Sequence, residues 1–368
     1  MIEGRAPLYL KLAVAAVATL LATAVAGWLY WRNYGGTIVL RSGDGTEQIW
    51  NGQVGFAVDP EVGFKTARSV SVRFRMGPLG GDAEALVRSS NNHGFIAEED
   101  YGEVIPPPRV VVLGDSHTMG VVATADNIGP VLQRALRAQP GLERATVMNA
   151  GTGPYSLYQY LLRARQLLPH YRPQALVVVV FLGNDFLNLE DTARPHLDDA
   201  LRELPAVAEP PPETTTARMR ELALPGAARE AFWQGLDQAL YLGKHPERRE
   251  PILQKAEYVV QGLSQLASEH DCQLVVVALP SFDLVFPERA SLASARAAEV
   301  VQSATQNRMH DDFLALLRRR GIDHVDLLPV FQRDGRLELY AGDFHIWKPG
   351  HRAIADAVLP RLRSLLSR

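Results

Sequence analysis

A run of apolar residues, Val110-Val111-Val112-Leu113, stops abruptly at Gly114-Asp115-Ser116. Short apolar runs closed by a glycine turn read as strands buried on both faces, the habit of parallel sheets. Residues 175–182 make a second such run, with Val177 to Val180 unbroken, and it stops at Gly183-Asn184-Asp185. Shorter strands are expected at 145–149, 274–279 and 325–328. Helical patterns fall between and after them, at 127–137, 157–168, 255–269, 292–307, 311–319 and 349–366. In the first of these, Ile128, Val131, Leu132 and Leu136 recur at helical spacing. Alternation of this kind implies an α/β fold, a three-layer, doubly wound, mainly parallel sheet. Such sheets gather ligands outside the carboxyl ends of their strands. Ser116, on the turn just past one of those ends, is therefore a candidate nucleophile.

Composition closes off several classes. The chain has 368 residues, 47% of them hydrophobic, enough to bury a full core. Its net charge of −3 and the lack of a basic cluster with interleaved aromatics give no case for nucleic acid. Cys272 is the sole cysteine, so there is no disulfide framework and no cysteine-based metal site. No cofactor motif stands out.

The amino terminus carries an address. Residues 12–30 hold no charge; Arg5 and Lys11 precede them, and Trp28, Tyr30, Trp31 and Arg32 close them. Roughly 20 apolar residues suffice to cross a bilayer as a helix, and the flanking aromatics suit its interfaces. The expectation is a single-pass anchor over 1–33 with the remainder extracytoplasmic, periplasmic or at the cell surface. The competing reading is a cleaved signal peptide and a secreted chain, because Ala24-Val25-Ala26 has the small-x-small cleavage pattern.

Residues 34–105 read as a strand-rich extension. Val70, Val72, Phe74 and Met76 alternate with Ser71, Arg73 and Arg75, the period of a half-buried strand. The main domain is expected over 106–368, interrupted by an insert at about 191–250 that contains Pro210-Pro211-Pro212 and Thr214-Thr215-Thr216.

Four blocks carry the chemistry: Gly114-Asp115-Ser116, Asn149-Ala150-Gly151, Gly183-Asn184-Asp185 and Asp343-Phe344-His345. Together, over residues 92–366, they resemble the SGNH (GDSL-type) hydrolase family, which presents Ser, Gly, Asn and His in that order. The resemblance implies Ser116, Gly151, Asn184 and His345 as the corresponding residues. It further implies an oxyanion hole made by the backbone N–H groups of Ser116 and Gly151 and the side-chain amide of Asn184. The physical logic runs beside it. Ser116 needs a base, and an imidazole such as His345 has a pKa near working pH. Asp343, two residues earlier, could hold one ring nitrogen and leave the other for Ser116. Many family members place this acid three residues before the histidine, so the spacing here is a departure.

Rival frameworks fit poorly. The nucleophile elbow Gly-x-Ser-x-Gly is missing, since position 118 is Thr, and Gly114 to Gly120 does not supply Gly-x-Gly-x-x-Gly. Asp343, His345 and His351 make only a thin set of metal ligands. The expected function is an exported serine esterase acting on O-acyl, above all O-acetyl, esters of a carbohydrate or other envelope substrate. Two alternatives share the fold: a polysaccharide O-acyltransferase fed by a membrane acyl-donor partner, and a non-catalytic envelope assembly or binding protein.

Overall fold

The computed structural model describes residues 37–41, 47–51, 54–153, 155–206, 235, 237–292 and 309–367, together with Thr19, Thr23 and Val25. The expected anchor at 12–30 and the expected helix at 292–307 fall almost wholly outside these residues. Among the described residues, no helix is long and apolar enough to cross a membrane.

The extension is built of strands. β1 (Thr37–Arg41), β2 (Glu47–Asn51), β3 (Val54–Asp59) and β4 (Gly63–Thr66) form an antiparallel meander. β5 (Ser71–Met76) and β6 (Glu84–Ser89) follow as a hairpin, with Val72 opposite Arg88 and Phe74 opposite Leu86. The alternation read from Val70 to Met76 is thus a strand with one face covered.

β7 (Arg109–Leu113) opens the main sheet, joined by β8 (Thr146–Asn149) and β9 (Ala175–Phe181). Between them run α1 (Ser116–Met119), α2 (Ile128–Arg137) and α3 (Leu157–Tyr171). The described part of the insert is a small hairpin, β10 (His196–Leu197) with β11 (Glu203–Leu204), and a helix, α4 (Asp237–Lys244). α5 (Arg249–Glu269), β12 (Gln273–Leu279), α6 (Phe282–Val285), α7 (Met309–Arg319) and β13 (His324–Asp326) come next. The chain closes with α8 (Leu328–Asp334) and α9 (Lys348–Leu366). The strand expected to reach residue 328 stops at Asp326, because Pro329 sits in the first turn of α8, where its missing N–H costs nothing.

The five-stranded sheet is parallel throughout, in the order β8-β7-β9-β12-β13. Although residues 110–113 of β7 and all of β9 are apolar, their side chains divide between two cores. Val110, Val112, Val177 and Val179 pack with Ile128, Leu132, Ile354 and Val358 of α2 and α9. Val111, Leu113, Leu176 and Val178 pack on the other face with Leu157, Leu161, Val259 and Leu263 of α3 and α5. Burying each such side chain contributes about 2 kcal/mol, so the apolar runs leave little freedom over which segments become central strands.

This strand order reverses beside β7: its successor β8 lies on one side and β9 on the other. The crevice at such a switch point is where doubly wound sheets bind ligands. Ser116 follows β7 and Asn184 follows β9, so the sheet brings two of the sequence-selected residues to that crevice.

Candidate active site

Ser116 is the first residue of α1, a single helical turn. Asp115 caps it, its Oδ1 accepting from the His117 N–H at 2.9 Å. Two buried asparagines hold the turn from beneath. Asn149 Nδ2 donates to Thr118 O at 2.9 Å and to Asn127 Oδ1 at 2.6 Å, while Asn127 Nδ2 donates to Met119 O at 2.9 Å. The backbone carrying Ser116 is therefore tied to the end of β8 and the start of α2.

His345 arrives from the other end of the chain. Its Nε2 lies 2.9 Å from Ser116 Oγ, and its Nδ1 lies 3.0 Å from Asp343 Oδ2. The two-residue spacing works because Phe344 has φ 66°, in the left-handed region. That twist lets Asp343 Oδ1 accept from the His345 backbone N–H at 3.2 Å while Oδ2 faces the ring. A bulky residue there costs about 1–3 kcal/mol. Flanking bonds hold the loop: Phe344 N–H donates to Ala341 O at 2.9 Å, and Ala341 N–H to His345 O at 2.7 Å. The Phe344 ring packs edge-on against Phe282, centroids 5.1 Å apart.

Asp343 is suited to its neighbour. Burial pushes its carboxyl up, but the charge of His345 and the hydrogen bonds from that residue outweigh this and leave it below the usual carboxylate range. Asp343 is thus ionised at neutral pH and able to fix a proton on Nδ1. Nε2 is then left as the acceptor facing the hydroxyl. Asp115 behaves oppositely. Burial pushes it up to about 6, against the hydrogen bond from His117 and the charge of His345. Asp185, buried and close to Asp115, is raised further, and both its oxygens lie within 3.0 Å of Tyr160 Oη.

Gly151 and Asn184 complete the sequence-selected set. Asn184 lies half-buried on the turn after β9. The Gly151 N–H, expected from the family resemblance to serve as an oxyanion donor, instead donates to Asn149 Oδ1 at 2.8 Å. Asparagine commonly makes this local turn with the backbone two residues on. Gly151 is needed for another reason, since a Cβ there would lie 2.7 Å from Met119 N. The backbone that abuts the serine belongs to Gly153, where a Cβ would lie 2.9 Å from Ser116 Cβ.

His117 is a further contributor that its position next to Ser116 alone does not reveal. Its ring stacks on Phe181 at 3.6 Å and leans against His345 at 4.7 Å. Its Nδ1 accepts from the Ile346 N–H at 3.3 Å, which links the turn at Ser116 to the loop at His345. His351 lies fully buried behind Gly120, and burial followed by the charge of His345 pushes it down to about 3. Among the described residues, no group of three His, Cys, Asp or Glu side chains could hold a metal ion.

No family model matches the chain, and no curated protein matches it. Solved structures similar to it include that of TesA, at 13% identity over 70% of this chain and 99% of that one, TM-score 0.38. A lipase/acylhydrolase from Enterococcus faecalis is similar at 16% identity over 71% and 97%, TM-score 0.38. A carbohydrate acetylesterase family member from Sinorhizobium meliloti is similar at 13% identity over 71% and 100%, TM-score 0.37. At this degree of likeness, the chemistry rests on the site's own geometry.

Proposed function

We propose that the chain is a serine ester hydrolase, anchored through residues 12–30 and extracytoplasmic beyond them, that removes O-acyl groups, O-acetyl above all, from a carbohydrate or other envelope substrate. The observation that carries the catalytic part is the unbroken relay of Ser116 Oγ to His345 Nε2 at 2.9 Å and His345 Nδ1 to Asp343 Oδ2 at 3.0 Å. The location rests on the uncharged segment at 12–30.

Ser116 Oγ attacks the ester carbonyl carbon as His345 Nε2 takes its proton. Asp343, ionised, stabilises the imidazolium and keeps its ring in line. Negative charge develops on the carbonyl oxygen. The Ser116 N–H, which as the first helical residue has no partner within α1, is one donor to it. The Gly153 N–H and the Asn184 amide are the others, neutral groups that need no charged partner. His345 then gives its proton to the departing alkoxide, and a water activated by the same imidazole hydrolyses the acyl-Ser116 ester.

The test is turnover of p-nitrophenyl acetate, and acetate release from O-acetylated polysaccharides, by the full chain in detergent. Ser116→Ala should fall to the background rate. Equal rates for wild type and variant would exclude Ser116 as nucleophile.

A further inference from the structure

The extension is more than a spacer between an anchor and a catalytic domain, because it touches three of the loops that carry the candidate machinery: the Ser116 turn, the glycine loop and the His345 loop. At the tip of the β5–β6 hairpin, Leu79 N–H donates to Tyr340 O at 2.8 Å, and Gly342 N–H donates to Gly77 O at 2.9 Å. Pro78 and Ala341 thereby form an antiparallel bridge. The hairpin tip lends the backbone partner for the strand-like segment that runs directly into Asp343 and His345.

On β6, Arg88 is 4% exposed and donates from Nη1 to Gly120 O, the carbonyl that ends the Ser116 turn. Its guanidinium also lies 5.6 Å from the centre of the Phe74 ring. Burial pushes it down to about 10, so it remains charged at neutral pH. One residue on, Ser89 N–H donates to Thr124 Oγ1 at 2.7 Å. Leu86 of the same strand packs with Val121, Val122, Ala341 and Trp347, joining the Ser116 side and the His345 side in one apolar cluster. A third contact reaches the glycine loop: Thr66 Oγ1 lies 3.3 Å from Thr152 Oγ1, and Tyr155 Oη donates to Phe64 O at 2.5 Å.

A buried guanidinium is expensive unless paired, and here part of its pairing goes to a backbone carbonyl and a ring face. Neither contact makes a substrate pocket. The first holds the turn that carries the nucleophile, and the second holds Arg88 on its own hairpin. We propose that residues 54–105 are part of the frame of the active site, with Arg88 the positioning residue that sets the Ser116 turn against the His345 loop. This rests on the reading of Ser116 as nucleophile. Arg88 touches no reacting atom; it acts through Gly120, and the hairpin tip acts through Tyr340 and Gly342.

The test follows phosphonylation of Ser116 by a fluorophosphonate, detected by mass spectrometry, beside kcat and KM for p-nitrophenyl acetate, with the full chain in detergent. For Arg88→Ala, labelling rate and kcat should fall together by roughly 10- to 100-fold, the range that a displacement near 1 Å produces. KM should stay within about twofold, since only transition-state alignment is lost. Arg88→Lys should recover part of the loss, as should millimolar guanidinium added to Arg88→Ala. Leu79→Pro, which removes the donor to Tyr340 O together with a partly buried side chain, should cost about fivefold or more in the same two rates. It serves as the deciding variant if Arg88→Ala does not fold. Folded variants that label at the wild-type rate, or losses confined to KM or to thermal stability, would overturn the framing role. Wild-type protein that stays unlabelled would overturn the nucleophile reading itself, and the framing role with it.

Discussion

Replacing Gly153 with alanine isolates the fit between the glycine loop and the serine. The backbone at Gly153 lies outside the left-handed region, so the cost of an added methyl is steric rather than conformational. That methyl would sit 2.9 Å from Ser116 Cβ and 3.2 Å from Ser116 Cα. Carbon atoms prefer separations of about 3.5–4.0 Å, so the two backbones must part by roughly 0.5–1 Å. Met119 Cε, also 3.2 Å away, can swing aside, but the Ser116 main chain is held by Asp115, Asn149 and Asn127 and cannot. Overpacking of this kind costs about 1–3 kcal/mol of stability, which a domain with so large a core should survive. Misplacing a nucleophile by up to 1 Å costs as much as ~100-fold in rate. The expected result is a folded Gly153→Ala protein whose kcat falls about 10- to 100-fold while KM changes little. Steady-state kinetics with p-nitrophenyl acetate, paired with a thermal melt, measures both quantities. A folded variant with kcat within about twofold of wild type would refute the close packing of Gly153 on Ser116 and its place in the oxyanion hole.

Asp343→Asn should leave the fold intact but remove the anionic acceptor for His345 Nδ1, lowering kcat by roughly 10²- to 10⁴-fold, as loss of the orienting carboxylate does in serine triads. A pH–rate profile and a melt would separate this from unfolding; a loss below tenfold would argue that Asp343 does not orient the base. Stability should depend on pH through Asp115. Its folded-state value of about 6 lies above the ordinary 3.8, so the native state holds that proton more tightly than the unfolded chain. The sign follows: this contribution is present below about pH 4 and is lost as pH rises to 6, by about 3 kcal/mol. Urea unfolding from pH 4 to 6 should show that decline in wild type and a flatter line in Asp115→Asn; an unchanged slope would remove Asp115 as its source. Asn149→Leu strands the Gly151 N–H and weakens the hold on Thr118 O, for a loss of about 2–4 kcal/mol by chemical denaturation. A change under about 1 kcal/mol would mean that the amide network does not support the Ser116 turn.

The strands were legible in the sequence because a parallel sheet buried on both faces requires apolar residues at every position, and 110–113 and 175–181 supply them. The start of α3 was legible too, at Leu157 where the helical pattern begins; in the structure Ser156 and Gln159 close a capping box across that first turn. Ser116 and Asn184 could be placed because strand ends in such a sheet converge on one edge. The base could be named, since few side chains other than histidine change charge near neutral pH. What the sequence could not show is how a two-residue spacing brings Asp343 onto His345. That depends on a left-handed Phe344, and phenylalanine carries no signal for that conformation; the packing against Phe282, the bonds of Ala341 and the bond from His345 N–H to Asp343 Oδ1 hold it there. Nor could it separate Gly151 from Gly153, because one glycine faces Thr118 and Met119 and the other faces Ser116, a difference set by how the β8 turn lies on α1. The reach of the extension was hidden for the same reason. A charged residue such as Arg88 reads as an exposed position, and its burial against Gly120 follows from a contact 32 residues along the chain. Local pattern determines which elements form and which residues bring chemistry. Which backbone atoms end up within 3 Å of those residues is decided by long-range packing, which leaves no periodic trace in the sequence.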